Sequence, residues 1–176
     1  LIVIAILSMF GLLSIAFRSY FFPILILSAL PFGFGGAVVG HIIFGKGLSM
    51  ISYWGIGAAC GVVVNDNLVL VDSINRLRGS GKHILECIVE SGVTRFRPII
   101  ITSITTFVGL MPMMLEPSVQ ANFLKPAVIS LSFGVVLSSS VTLILVPCLY
   151  LIGDDVKESI AQFKASIKSQ ISNKST

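Results

Sequence analysis

Charge is what this chain has least of. Only 11% of its 176 residues are Asp, Glu, Lys or Arg, against about 25% in an average globular domain. So little charge excludes an ordinary water-soluble domain. The net charge of +4 is small and scattered between apolar stretches, which argues against a nucleic-acid surface and leaves no nucleic-acid partner expected. Cysteine is also scarce. Cys60, Cys87 and Cys148 show no CxxC or metal spacing, and Cys60 and Cys148 lie in apolar runs, where a free cysteine behaves as a small hydrophobe. There is no phosphate-binding glycine loop, no Ser-His-Asp set and no HExxH site. The chain is therefore not expected to be an enzyme, and no catalytic residue, metal site or bound cofactor is expected. Leu1 opens inside an apolar run with no basic region before it, unlike a secretory signal. The expectation is a C-terminal piece of something longer, with its first span clipped.

What the chain has instead is hydrophobic length. Apolar residues make up 55% of it, and the mean hydropathy is +0.98. A membrane-crossing helix needs about 20 mostly apolar residues, and five such spans can be read, at 1–17, 22–44, 49–75, 98–115 and 126–152. Pro23, Pro98 and Pro126 sit where helices start, and Pro31 predicts a kink in the second span. Between spans three and four, Ile84, Leu85, Ile88 and Val89 recur at helical spacing opposite Lys82, Glu86 and Glu90. This predicts a short amphipathic helix at 82–93, lying on the membrane surface or solvated beside it. Residues 153–176 form a polar, Ser/Lys-rich tail, expected to fray at its end. The fold class is thus an all-α membrane protein.

Charge placement sets the orientation. If the spans alternate, ten of the twelve basic residues fall on one side, and only Lys46 and Lys125 on the other. The positive-inside rule then puts the C-terminus and the loop after span three in the cytoplasm.

Asp66 is the strongest chemical signal. It stands in Gly61-Val-Val-Val-Asn65-Asp66-Asn67-Leu-Val-Leu-Val-Asp72, inside the third span. A charge at a bilayer centre costs at least about 2.5–3.5 kcal/mol, so such groups mark ion or proton pathways by default. A partly desolvated carboxylate can take up and release a proton near neutral pH. The bland alternative is an Asp that only binds helices together. Asp72, close to Arg76 on the same helix, reads as an interfacial ion-pair partner. Thr102, Ser103, Thr105 and Thr106 crowd span four; such hydroxyls often bond to their own turn, although Thr102 and Thr106 share a face that could meet Asp66. Gly36, Gly40, Gly57 and Gly61 stand at the spacing that lets helix backbones approach, and Ser138, Ser139 and Ser140 are expected to act likewise. His41, near the outer end of span two, reads as a satisfied interfacial residue.

The run from Gly61 to Asp72, the amphipathic segment, then Arg95-Phe-Arg97-Pro98-Ile-Ile-Ile-Thr102-Ser103 and Gly109-Leu-Met-Pro112 closely resemble the RND superfamily of efflux transporters, in the last five spans of the multidrug (acriflavine-resistance) permeases. The resemblance covers residues 1–152. It implies a homotrimeric inner-membrane proton antiporter driven by the proton gradient, working with a periplasmic adaptor and an outer-membrane channel. It also implies a missing N-terminal half of the permease and large periplasmic porter regions that select the substrate. Well-studied members carry Lys where this chain has Asn65 and Asn where it has Asp66. Their essential Asp pair lies on the pseudo-symmetric span of the first half, where the second Asp matches Asp66. Thr102 matches a relay hydroxyl and Arg95 a basic residue near the cytoplasmic entrance. The resemblance thus implies a relay of Asp66, Asn65, Asn67, Thr102 and Arg95.

Overall fold

The computed structural model describes the backbone of residues 2–81 and 83–173, with side chains from 3 to 156 apart from 82. Every element among them is helical: α1 (Ile2–Phe17), α2 (Phe21–Leu27), α3 (Leu30–Ile43), α4 (Met50–Gly79), α5 (Ile84–Leu115) and α6 (Val119–Asn173). Among the described residues four stretches are long and apolar enough to cross a membrane: Phe21–Ile43, Met50–Gly79, Ile84–Leu115 and Val119–Val156. α1 is also apolar but shorter. The chain is a multi-pass, all-α membrane protein.

The second span is broken. Pro31 has no N–H for the Leu27 carbonyl, so the helix ends at Leu27 and restarts at Leu30 with Pro31 in its first turn. α4 begins at a reciprocal cap: the Ser49 hydroxyl accepts from Ser52 N–H (3.4 Å), and the Ser52 hydroxyl accepts from Ser49 N–H (3.0 Å). At the other end of α4 the chain turns through Gly81 at φ +80°, a left-handed conformation that glycine adopts without strain.

Three predicted boundaries are not where the helices end. The amphipathic stretch at 82–93 is not a separate surface helix. From Ile84 on it is the start of α5, which passes through Pro98 without a break; Lys82 lies outside the described residues. At 1.5 Å per residue a 32-residue helix measures about 48 Å, more than the roughly 30 Å hydrocarbon layer. Its amphipathic first turns are therefore the part that overhangs. Pro126 likewise does not start the last span. α6 starts at Val119, where the Ser118 hydroxyl accepts from Ala121 N–H at 3.3 Å, and Pro126 lies within it. The helix then continues through much of the predicted polar tail to Asn173; the expected fraying at 174–176 lies outside the described residues. Membrane helices tolerate internal proline because neighbouring groups or water serve the freed carbonyls.

α6 is the spine against which α3, α4 and α5 pack. At the end where α4 turns into α5, Leu25, Ile26, Leu70, Val71, Ile74, Cys87, Ile88, Val146 and Tyr150 form the larger core. At the opposite end Met114, Val128 and Ile129 form a smaller one. Close backbone approach makes the α3–α6 and α4–α6 contacts. A side chain at Gly36 would run into the Phe133 carbonyl and lie 2.9 Å from Leu137 Cβ, and one at Gly40 would lie 2.7 Å from the Phe133 ring. On α4 the close-packed glycine is Gly55, where a side chain would meet Ala127 backbone atoms at 2.8 Å. The predicted pair, Gly57 and Gly61, has open space around it among the described residues. Two residues of offset is 200° of helix rotation, enough to put the small-residue pattern on the opposite face. The pattern that packs is Gly55 with Ala59, which approaches Gly134.

Candidate proton-relay site

Asp66 lies mid-way along α4, half-buried, with Oδ2 shielded from solvent and without a hydrogen-bond partner among the described residues. Its neighbours on either side point elsewhere, as successive helical residues must at 100° apart. Asn65 is exposed, while Asn67 is 1% exposed. The Asn67 amide donates to the carbonyl of Ile26 at 3.4 Å. That carbonyl belongs to the last turn of α2, where the break before Pro31 leaves acceptors unserved. Ser138 of α6 donates to Ala29 at the same break, at 3.3 Å. The discontinuity in the second span is thus held from two sides, by the residue next to Asp66 and by the central helix.

Thr102, on α5, is exposed, and its hydroxyl donates to the Pro98 carbonyl one turn back at 2.9 Å. Ser103 and Thr105 bond to their own helix in the same way. Arg95 is partly buried, and its Nε has no partner among the described residues. Among the described residues, no hydrogen bond or ion pair joins Asp66 to Thr102 or to Arg95. The structure therefore brings Asn67 into the core beside α2. It leaves Asn65 on the surface of this chain, and in this arrangement it keeps the groups of α4 and α5 apart.

The other sequence-singled residues are accounted for. Asp72 pairs with Arg76 at 2.8 Å. His41 is buried with both ring nitrogens engaged, Nδ1 with Ala37 O at 2.9 Å and Nε2 with Ser52 Oγ at 2.8 Å. Since a carbonyl can only accept, Nδ1 carries a proton, and Ser52 donates to Nε2 when the ring is neutral. Ser138 and Ser139 are buried, and Ser140 is exposed. Among the described residues no three His, Cys, Asp or Glu side chains stand together in a way that could hold a metal ion.

Reading the sequence helix by helix missed the pairs that cross from α4 to α6. Arg78 bridges Asp154 at 2.6 Å, and Tyr150 donates to Asn75 Oδ1 at 2.6 Å, while Tyr150 stacks on Phe22 at 5.7 Å between ring centroids. The signal was present in outline: polar groups close the ends of both apolar spans.

Residues 1–154 match the model of the AcrB/AcrD/AcrF family. The chain belongs to this family, whose members are RND permeases. Among solved structures it resembles a heavy metal efflux pump in two crystal forms. The first matches at 28% identity and a TM-score of 0.72, covering 86% of this chain. The second matches at 27% identity and a TM-score of 0.73, covering 84%. The chain spans only 15% and 14% of those pumps' length, so it corresponds to one part of an RND membrane domain.

Proposed function

We propose that this chain is the C-terminal membrane segment of a proton-driven RND efflux pump of the inner membrane, with Asp66 as a protonation site. The observation that supports this most is a half-buried carboxylate, one oxygen unpartnered, in the middle of a 30-residue apolar helix. A proton satisfies such a group by making it neutral, and its loss demands a new partner or water. Asn67 anchors the Asp66 turn to α2, Thr102 and Arg95 are carried on the neighbouring helix, and Asn65 faces outward towards the missing N-terminal half of the permease. In this reading the C-terminus is cytoplasmic, the pump is a homotrimer joined to a periplasmic adaptor and an outer-membrane channel, and the proton gradient takes the place of a cofactor. Cargo is chosen outside these spans.

A second reading has its own support. The Thr102 hydroxyl is satisfied within its own turn, and Asn67 already has a structural partner; both fit a helix-packing segment with no transport role of its own. Efflux by the intact pump separates the two. At matched expression, Asp66→Asn abolishes efflux and Thr102→Ala lowers it if the relay operates. Wild-type efflux in both variants leaves only the packing role.

A further inference from the structure

We infer that α5 is the moving element of this segment: from Ser91 onward it swings along α6, while α2, α3, α4 and α6 stay fixed relative to one another. The fixed part is tied in every direction. His41 is bonded to Ser52 across α3 and α4, and Asn67 to Ile26 across α4 and α2. Ser138 reaches the α2–α3 break, and Tyr150–Asn75 with Arg78–Asp154 join α6 to α4. Glycine contacts add a steric lock, because a backbone seated on another backbone has no flexible side chain between to absorb a shift.

α5 is held in another way. Its first turns are anchored through Cys87 and Ile88 in the larger core. Beyond them, from Ser91 to Leu115, no side chain makes a hydrogen bond or ion pair to another helix among the described residues. Thr94, Thr102, Ser103 and Thr105 all bond within α5, so sliding breaks none of these bonds. Among the described residues Gly92 and Gly109 have no neighbour within 4 Å that a side chain would strike. The contacts that hold this stretch to α6 are apolar: the Phe107–Phe133 ring pair at 5.3 Å, and Met113 and Met114 against Val128 and Ile129. Methionine repacks readily, and small sliding of packed helices is an established mode of conformational change. Turns of a few residues at both ends limit the travel to a tilt on the order of a few Å. Such a tilt carries Arg95 and Thr102 relative to the fixed Asp66.

The claim is mechanical and can fail or stand apart from the relay. In the intact pump, in a cysteine-free background, spin labels at Val39 and Val108 report α3 against α5, and labels at Val39 and Ile144 report α3 against α6. The expected result is a broad or two-peaked distance distribution for the first pair and a single narrow one for the second. A short cross-link between Phe107→Cys and Phe133→Cys then slows transport at least tenfold, and reduction restores it. A cross-link between His41→Cys and Ser52→Cys leaves transport within about twofold. Equally narrow distributions for both label pairs, or full transport with α5 cross-linked, overturn the inference. A mobile α5 in a pump indifferent to Asp66→Asn would keep it and discard the relay.

Discussion

Two seams run along α6, and they are built from different chemistry. The seam with α3 and α4 combines backbone-to-backbone glycine contacts with hydrogen bonds and an ion pair that cross between helices. The seam with α5 is made of side-chain packing, with the α5 hydroxyls turned back on their own carbonyls. In a bilayer there is no hydrophobic driving force between helices, so association rests on close packing and interhelical hydrogen bonds. A seam that has both is a fixed joint, and one with only apolar contact is a bearing. Asp66 belongs to the fixed side, while Thr102 and Arg95 belong to the movable one.

Substitutions can test that contrast. The largest effect is expected at Gly55. Gly55→Val sets a branched side chain against the Ala127 backbone, and overpacking that no flexible side chain can absorb costs about 3 kcal/mol or more. Thermal unfolding in detergent should show a large drop or no folded protein, whereas Gly57→Ala and Gly61→Ala, which meet no such clash, should keep the parent's stability or raise it by up to about 1 kcal/mol. Next comes Arg78→Ala, which leaves the Asp154 carboxylate, largely buried, without its cation; the expected loss is about 1–3 kcal/mol, with partial recovery in Arg78→Lys. Tyr150→Phe keeps the stack on Phe22 and removes one hydrogen bond to Asn75, a loss of about 1 kcal/mol. The smallest effect is Thr105→Ala, whose hydroxyl serves its own helix; its stability should change by less than about 0.5 kcal/mol. Equal losses at Thr105 and Tyr150 would erase the distinction between the seams.

Much of this architecture was legible in the sequence. Runs of apolar residues long enough to cross a membrane can hardly be anything else, and Pro31 announced the break in the second span. The internal boundaries were not legible. Pro98 and Pro126 look like helix starts, because proline costs about 3 kcal/mol inside an isolated helix; in the bundle both are absorbed within longer helices. Spacing alone did not point to Gly55 and Ala59, which pack against α6, because it gives a stripe but not the direction it faces; Gly57 and Gly61 meet nothing among the described residues. The site divides the same way. Asp66 stood out by its cost alone. Asn67's bond to Ile26 depends on a carbonyl 41 residues away in sequence, and no local pattern carries that. The Arg78–Asp154 bridge spans most of two helices and needed the fold to be seen.

The central claim is that Asp66 carries the proton. It is tested most directly by reconstituting the intact pump in proteoliposomes and measuring cargo movement driven by a pH gradient, with the parent, Asp66→Asn and Asp66→Glu at equal protein. The account predicts that the Asn variant falls below about a tenth of the parent rate, one decade being about 1.4 kcal/mol in the barrier, and that the Glu variant keeps measurable transport. Gradient-driven transport by Asp66→Asn at the parent rate would contradict it.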